Sequence, residues 1–154
     1  MILGVIPARL NSTRFPNKVI FSLNGKTIVE HVYNKAIQSS LIDKLVVAVD
    51  SEKTEKLINC SNIMMTSDKH ESGTDRVAEV ANNYDCDIVV NIQGDEPGID
   101  PKLIDQLISL FNDPDVKMAS VASTDLDKND LKLGKVLRRP IEGLVDYHLK
   151  TFNH

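Results

Sequence analysis

Apolar positions along the chain fall into short continuous runs that alternate with stretches of helical spacing. Residues 2–6 read as a first strand, and residues 45–49, closed by Asp50, as a strand buried on both faces. Residues 63–66, 87–92 and 116–122 read as further strands. Between the first two, Thr27 and Glu30 have capping-box spacing, and Ile28, Val32 and Ala36 then recur on one helical face. Ser51 is placed to cap a short helix running to Asn59, and another helix is expected over 76–83. The best-defined helix follows Asp100-Pro101, an N-cap and an N1 proline, with Leu103, Ile104, Leu107, Ile108 and Phe111 facing inwards. Beyond it come an apolar run at Lys135-Val136-Leu137 and an alternating one over 144–149.

Strands that alternate with helices imply right-handed crossovers, a mainly parallel sheet and helices on both faces. At 154 residues, with neither linker nor repeat, one α/β domain over 1–154 is expected. Such sheets bind ligands beyond the carboxyl ends of their strands. The loops that follow strands are therefore where chemistry is sought.

Three of these loops stand out. The first, PARLNSTRFPNK from Pro7 to Lys18, holds Arg9, Arg14 and Lys18 with no acid, in a chain of net charge −4. Pro7 and Pro16 bracket it, and Asn-Ser-Thr favours turns, so the cations cannot share a helix face. Clustered cations repel unless an anion joins them; a polyphosphate fits, with Ser12 and Thr13 as added donors. A solvated surface loop is the other reading. The second, Gln93-Gly94-Asp95-Glu96-Pro97, sets two carboxylates at a strand end, where Mg²⁺ could be shared with substrate phosphates. Gly94 permits close approach. A turn with two solvated acids fits equally. The third, His70-Glu71-Ser72-Gly73-Thr74-Asp75-Arg76, could meet a base or phosphate at a helix start, or be an ordinary N-cap on Ser72 or Thr74.

Composition narrows the field. Hydrophobic residues make up 42% and charged residues 26%, as in a globular chain, and no run approaches the ~20 apolar residues of a membrane span. The opening residues lack a signal peptide's pattern, so a cytoplasmic setting is expected. With 5% aromatics and an acidic balance, no nucleic-acid partner is expected. Cys60 and Cys86 lack ligand spacing and read as free thiols. Asn24-Gly25-Lys26-Thr27 mimics the end of a P-loop, but Ile20 stands where that motif needs glycine; Asn24-Gly25 reads instead as a tight turn. No G-x-G-x-x-G is present, and His31, His70, His148 and His154 suggest no nucleophilic or ligand set.

The strings IPARLNSTRFPNK, NGKTIVEHVYNKA, HESGTDRVAEV and VVNIQGDEP resemble the 3-deoxy-manno-octulosonate cytidylyltransferase family (CMP-Kdo synthetases) from Ile2 to about Val121. The resemblance implies a Rossmann-like nucleotide-diphospho-sugar transferase fold. It implies a reaction in which CTP and the sugar acid Kdo give CMP-Kdo and pyrophosphate for lipopolysaccharide biosynthesis. It implies that Arg9, Arg14 and Lys18 grip the triphosphate, with Ser12 beside them. By the same likeness Ala8, Ser72, Gly73 and Thr74 meet cytosine and ribose, Arg76 supports that loop, Gln93 contacts the sugar acid and Asp95 binds Mg²⁺. A homodimer is the family's implied state.

The family continues past residue 154. In the tail Lys135, Val136, Gly143 and Tyr147 fit its pattern, whereas Arg138 stands near an expected acid and His148-Leu149-Lys150 replaces Phe-Ser-Arg. The late sugar pocket, dimer contacts and a second metal-binding aspartate have no counterpart here, so a truncated chain is expected, either a fragment or a shortened homologue that has lost some or all of the activity. Two other functions remain open: a nucleotide-binding remnant without catalysis, and a cytidylyltransferase for another acidic sugar such as sialic acid.

Overall fold

The computed structural model describes residues 1–10 and 17–120, together with the backbone of 135–138. Eight strands and four helices follow one another in the described chain. Strand β1 (Ile2–Ala8) enters a basic loop that ends in a 3₁₀ turn, Lys18–Ile20. Strands β2 (Ser22–Leu23) and β3 (Lys26–Thr27) form a small hairpin, and α1 (Ile28–Ala36) follows directly. Next come β4 (Lys44–Val49), α2 (Glu52–Leu57), β5 (Ile63–Met65), α3 (Gly73–Ala81) and β6 (Ile88–Asn91). Helix α4 (Pro101–Ser109), β7 (Met118–Ser120) and β8 (Lys135–Arg138) complete the order.

The main sheet runs β5-β4-β1-β6-β8-β7. Strands β5, β4, β1 and β6 are mutually parallel, and β8 pairs antiparallel with both β6 and β7. A mainly parallel sheet is therefore correct, with one reversed strand that apolar periodicity could not orient.

Alternation along the central strands sorts their side chains into two cores. Ile6, Ala8, Val47, Val49, Val90 and Ile92 face α1 and α4, packing on Val29, Val32, Ile104 and Leu107. Leu3, Val5, Val46, Ala48 and Val89 face α3, packing on Val77 and Val80. Both faces of β1 are thus covered, which holds its carboxyl end in place.

Helix starts obey local chemistry. The Thr27 hydroxyl accepts from the Glu30 amide while Glu30 accepts from the Thr27 amide, a complete capping box. Asp100 caps α4, with Pro101 at its first position. Asn24 (φ 50°) and Gly25 (φ 79°) both lie in the left-handed region, as a two-residue hairpin turn requires.

Three boundaries differ from the apolar pattern. Helix α3 starts at Gly73, three residues before the expected Arg76, because Ser72 and Asp75 form a second capping box with aspartate in the glutamate's role. Helix α2 stops at Leu57 rather than Asn59, since Ile58 turns extended to bury its side chain in the core. Strand β1 runs on through Pro7 and Ala8. Val5 accepts from the Ile92 amide, so the odd residues of β1 turn their polar groups towards β6. The β6 ladder ends at Val5–Asn91, and Pro7 lacks its N–H only beyond that point. Within the expected 116–122 strand, 121 and 122 lie outside the described residues, as does the run 144–149.

Candidate functional site

The carboxyl end of β1 is where all three flagged loops meet, and Pro7 is their shared contact. A Cβ on Gly94 would lie 2.6 Å from the Pro7 carbonyl oxygen, so the acidic loop touches β1 backbone to backbone. A Cβ on Gly73 would lie 3.4 Å from the Pro7 ring, so the start of α3 closes on the other side. Only the Gly94 approach demands glycine; at Gly73 a Cβ would make an ordinary contact. Ala8, fully buried, ends the strand between them.

Polar bonds extend this junction. Lys18 Nζ lies 3.0 Å from Asp95 Oδ2, joining the basic and acidic loops across 77 positions of sequence. Arg9 Nη1 donates to the Glu71 carbonyl at 3.0 Å, joining the basic loop to the segment before α3. The Leu10 amide donates to Asp50 Oδ2, and the Asn17 amide donates to the Leu10 carbonyl at 3.0 Å. The two flanks of 11–16 are thereby drawn together over the end of β4. Ser12 and Arg14 lie outside the described residues.

The segment 67–76 is held more densely. The Ser72 hydroxyl donates to Asp75 Oδ2 at 2.7 Å and accepts from the Asp75 amide, so its proton is already committed. Glu79 on α3 accepts from the Ser67 amide at 2.9 Å and pairs with His70 Nε2. The Ser67 amide above all, with His70 beside it, holds the Glu79 carboxyl below its usual range. Arg76 is 1% exposed; its Nη1 donates to Thr66 Oγ1, which in turn donates to the Val49 carbonyl. Burial lowers the Arg76 pKa and nearby Arg9 lowers it further, while Asp50 and Glu79 oppose the shift. Thr74 sits in the first turn of α3, at the same strand end.

Gln93 and Glu96 line a cleft of about 440 Å³, walled by Val90, Ile92, Ile104 and Leu107. Burial, then the Asp95 charge, pushes the Glu96 carboxyl above its usual range, with Lys18 pulling the other way. The cleft thus carries one polar rim against an apolar wall.

Among the described residues no cluster of three His, Cys, Asp or Glu side chains could enclose a metal ion. Asp95, half-buried and already holding a cation, fits a different role: one carboxylate supplying part of the shell of an ion whose other ligands are phosphate oxygens. Among the described residues the donor set could hold a divalent ion only in company with ligands from elsewhere, as a single carboxylate does.

The structure brings together Ala8, Arg9, Lys18, Gly73, Gln93 and Asp95, and it sets Ser72, Thr74 and Arg76 on the flank that faces them. Sequence reasoning missed Asp50, Thr66 and Glu79. Asp50 could have been found, since it ends a strand as the other site loops do. Neither Cys60 nor Cys86 forms a disulfide, and burial pushes the Cys60 thiol up to about 12.

The sequence profile of the cytidylyltransferase family matches residues 3–135. A 3-deoxy-manno-octulosonate cytidylyltransferase of Trichlorobacter lovleyi is 46% identical over 125 residues, covering 79% of this chain and 50% of that protein. One from Geobacter sulfurreducens is 42% identical over 155 residues, covering 97% of this chain and 62% of the relative. The chain thus spans about half the length of the curated relatives it matches. Among solved structures, CMP:2-keto-3-deoxy-manno-octonic acid synthetase complexed with CTP superposes with a TM-score of 0.75 at 28% identity. That match covers 89% of this chain and 73% of the other.

Proposed function

The chain belongs to the cytidylyltransferase family, and from that premise we propose that it transfers the cytidylyl group of CTP to 3-deoxy-manno-octulosonate. The observation that carries this reading is the convergence of the basic, Ser-Gly-Thr and acidic loops on Pro7, at the carboxyl end of the central strand. The names of the relatives and the CTP complex of the structural neighbour supply the substrates. The setting proposed is the cytoplasm, and the product one used in lipopolysaccharide biosynthesis.

In this reading the anomeric hydroxyl oxygen of the sugar acid attacks the α-phosphorus of CTP. The bond from that phosphorus to the bridging oxygen breaks, pyrophosphate leaves, and the hydroxyl proton passes to solvent. Positioning and charge neutralisation supply most of the acceleration in such transfers. Arg9, Arg14 and Lys18 receive the triphosphate and offset charge on the departing pyrophosphate, with Ser12 as a neighbouring donor. Ala8, Gly73 and Thr74 form the floor under cytosine and ribose. Ser72, its proton committed to Asp75, shapes that floor, and Arg76 props it from below. Gln93 turns the sugar acid towards the α-phosphorus. Asp95 would hold Mg²⁺, which when bound would supply charge neutralisation at the phosphate oxygens.

The test is pyrophosphate release from CTP and Mg²⁺ by the full chain, with Kdo compared against sialic acid. Release with Kdo is expected, and Asp95→Ala should reduce it by about a hundredfold or more while CTP binding changes far less. CTP binding without turnover on either sugar would overturn catalysis in favour of a nucleotide-binding role. Turnover with sialic acid alone would reassign the substrate.

A further inference from the structure

Among the described residues Lys18 and Asp95 are each other's only side-chain ion-pair partner, and both stay partly open to solvent, at 43% and 32% side-chain exposure. Under the roles proposed above, a divalent cation competes with the ammonium for Asp95, and a phosphate competes with the carboxylate for Lys18. An ion pair this exposed is weak enough to be exchanged.

We propose that Lys18 is a latch that keeps Asp95 closed to divalent metal until a polyphosphate draws the ammonium away. The latch rests on the nucleotide and metal roles assigned above and adds an order to them. A triphosphate presents more negative charge to Lys18 than a monophosphate, so CTP opens the latch and CMP leaves it shut. Lys18 thereby selects for the charged substrate over the product-like nucleotide, by controlling metal entry rather than by contact alone. The exchange breaks no covalent bond: Lys18 trades a carboxylate for phosphate, and Asp95 trades an ammonium for a metal ion.

Binding of Mn²⁺ to the nucleotide-free full chain, followed by the loss of the free-ion electron paramagnetic resonance signal, reads the latch without turnover. Lys18→Met should bind Mn²⁺ about threefold to fivefold more tightly than the unaltered chain, and Lys18→Gln should do the same. Lys18→Arg keeps the charge and should bind as weakly as the unaltered chain. Asp95→Asn should cancel the gain when combined with Lys18→Met. Unchanged or weaker binding by both neutral Lys18 variants, with folding verified by circular dichroism, overturns the latch and leaves the Asp95 assignment intact. A gain in Lys18→Met that survives the added Asp95→Asn change overturns the metal assignment itself. In metal-free buffer, CTP should shift the Asp95 carboxylate ¹³C resonance and CMP should not; equal shifts overturn the selection for triphosphate.

Discussion

The two flanks of the β1 terminus are built on different principles. On one side, 67–76 is fastened by a capping box, by Glu79 gripping Ser67 and His70, and by a buried Arg76 leaning on Thr66. On the other, the basic and acidic loops meet through one partly exposed ion pair, Lys18 with Asp95. The buried Arg76 contact is costly to break, because a lost partner leaves a desolvated polar group behind, while Glu79, about as exposed as Asp95, is held by two partners at once. Solvent makes the single Lys18–Asp95 pair cheap to exchange. Under the proposed function this division is sensible: the floor for the base is preformed, whereas the groups that meet charge can be re-paired by their ligand. A site that must capture a highly charged substrate gains from keeping its counter-ions movable.

The sharpest way to break this comparison is to remove one anchor from each flank. Arg76→Met removes the donor to Thr66 Oγ1 and takes a buried cation from Asp50 and Glu79, so denaturant unfolding should show a loss of about 2 kcal/mol. Lys18→Met should change stability by about 0.5 kcal/mol or less. Similar losses in both would erase the distinction between the flanks.

A smaller effect follows from Glu79. Its carboxyl is held low in the folded chain, so the stability it contributes is fully present above the unfolded value and is lost as pH falls through the folded one. Glu79→Gln should therefore cost about 1 kcal/mol at neutral pH and flatten the acid limb of the stability curve. An acid limb identical to the unaltered chain would show that Ser67 and His70 are held by something else.

The smallest expected change is that of salt. Raising ionic strength to about 1 M screens charges beyond roughly 3 Å of solvent, which loosens Lys18 from Asp95 but not the buried bonds. Hydrogen exchange at the Ser67 and Asp75 amides should stay within about twofold. A large rise there would mean that the preformed flank also depends on exposed charge.

Much of this was legible along the chain. The caps at Thr27, Ser51 and Asp100, the turn at Asn24-Gly25 and the apolar strands depend on neighbours a few residues away, so local spacing reveals them. Gly94 was legible as a place of close approach, although not what approaches it. Arg76 was partly hidden: a charge reads as surface, yet it stands four residues before the buried Val80 and so on the inward face of α3.

What the sequence determined by itself, then, is the order of elements and the three loops that carry chemistry, because hydrophobic period, capping and turn preference act over a few residues. Tertiary structure alone decided that β8 runs against its neighbours, that Arg76 is buried and that Glu79 holds Ser67. It alone set Lys18 against Asp95 across the sheet. Those pairings rest on the convergence of strand ends at Pro7, and residues so distant in sequence meet there only when the parallel sheet has closed around β1.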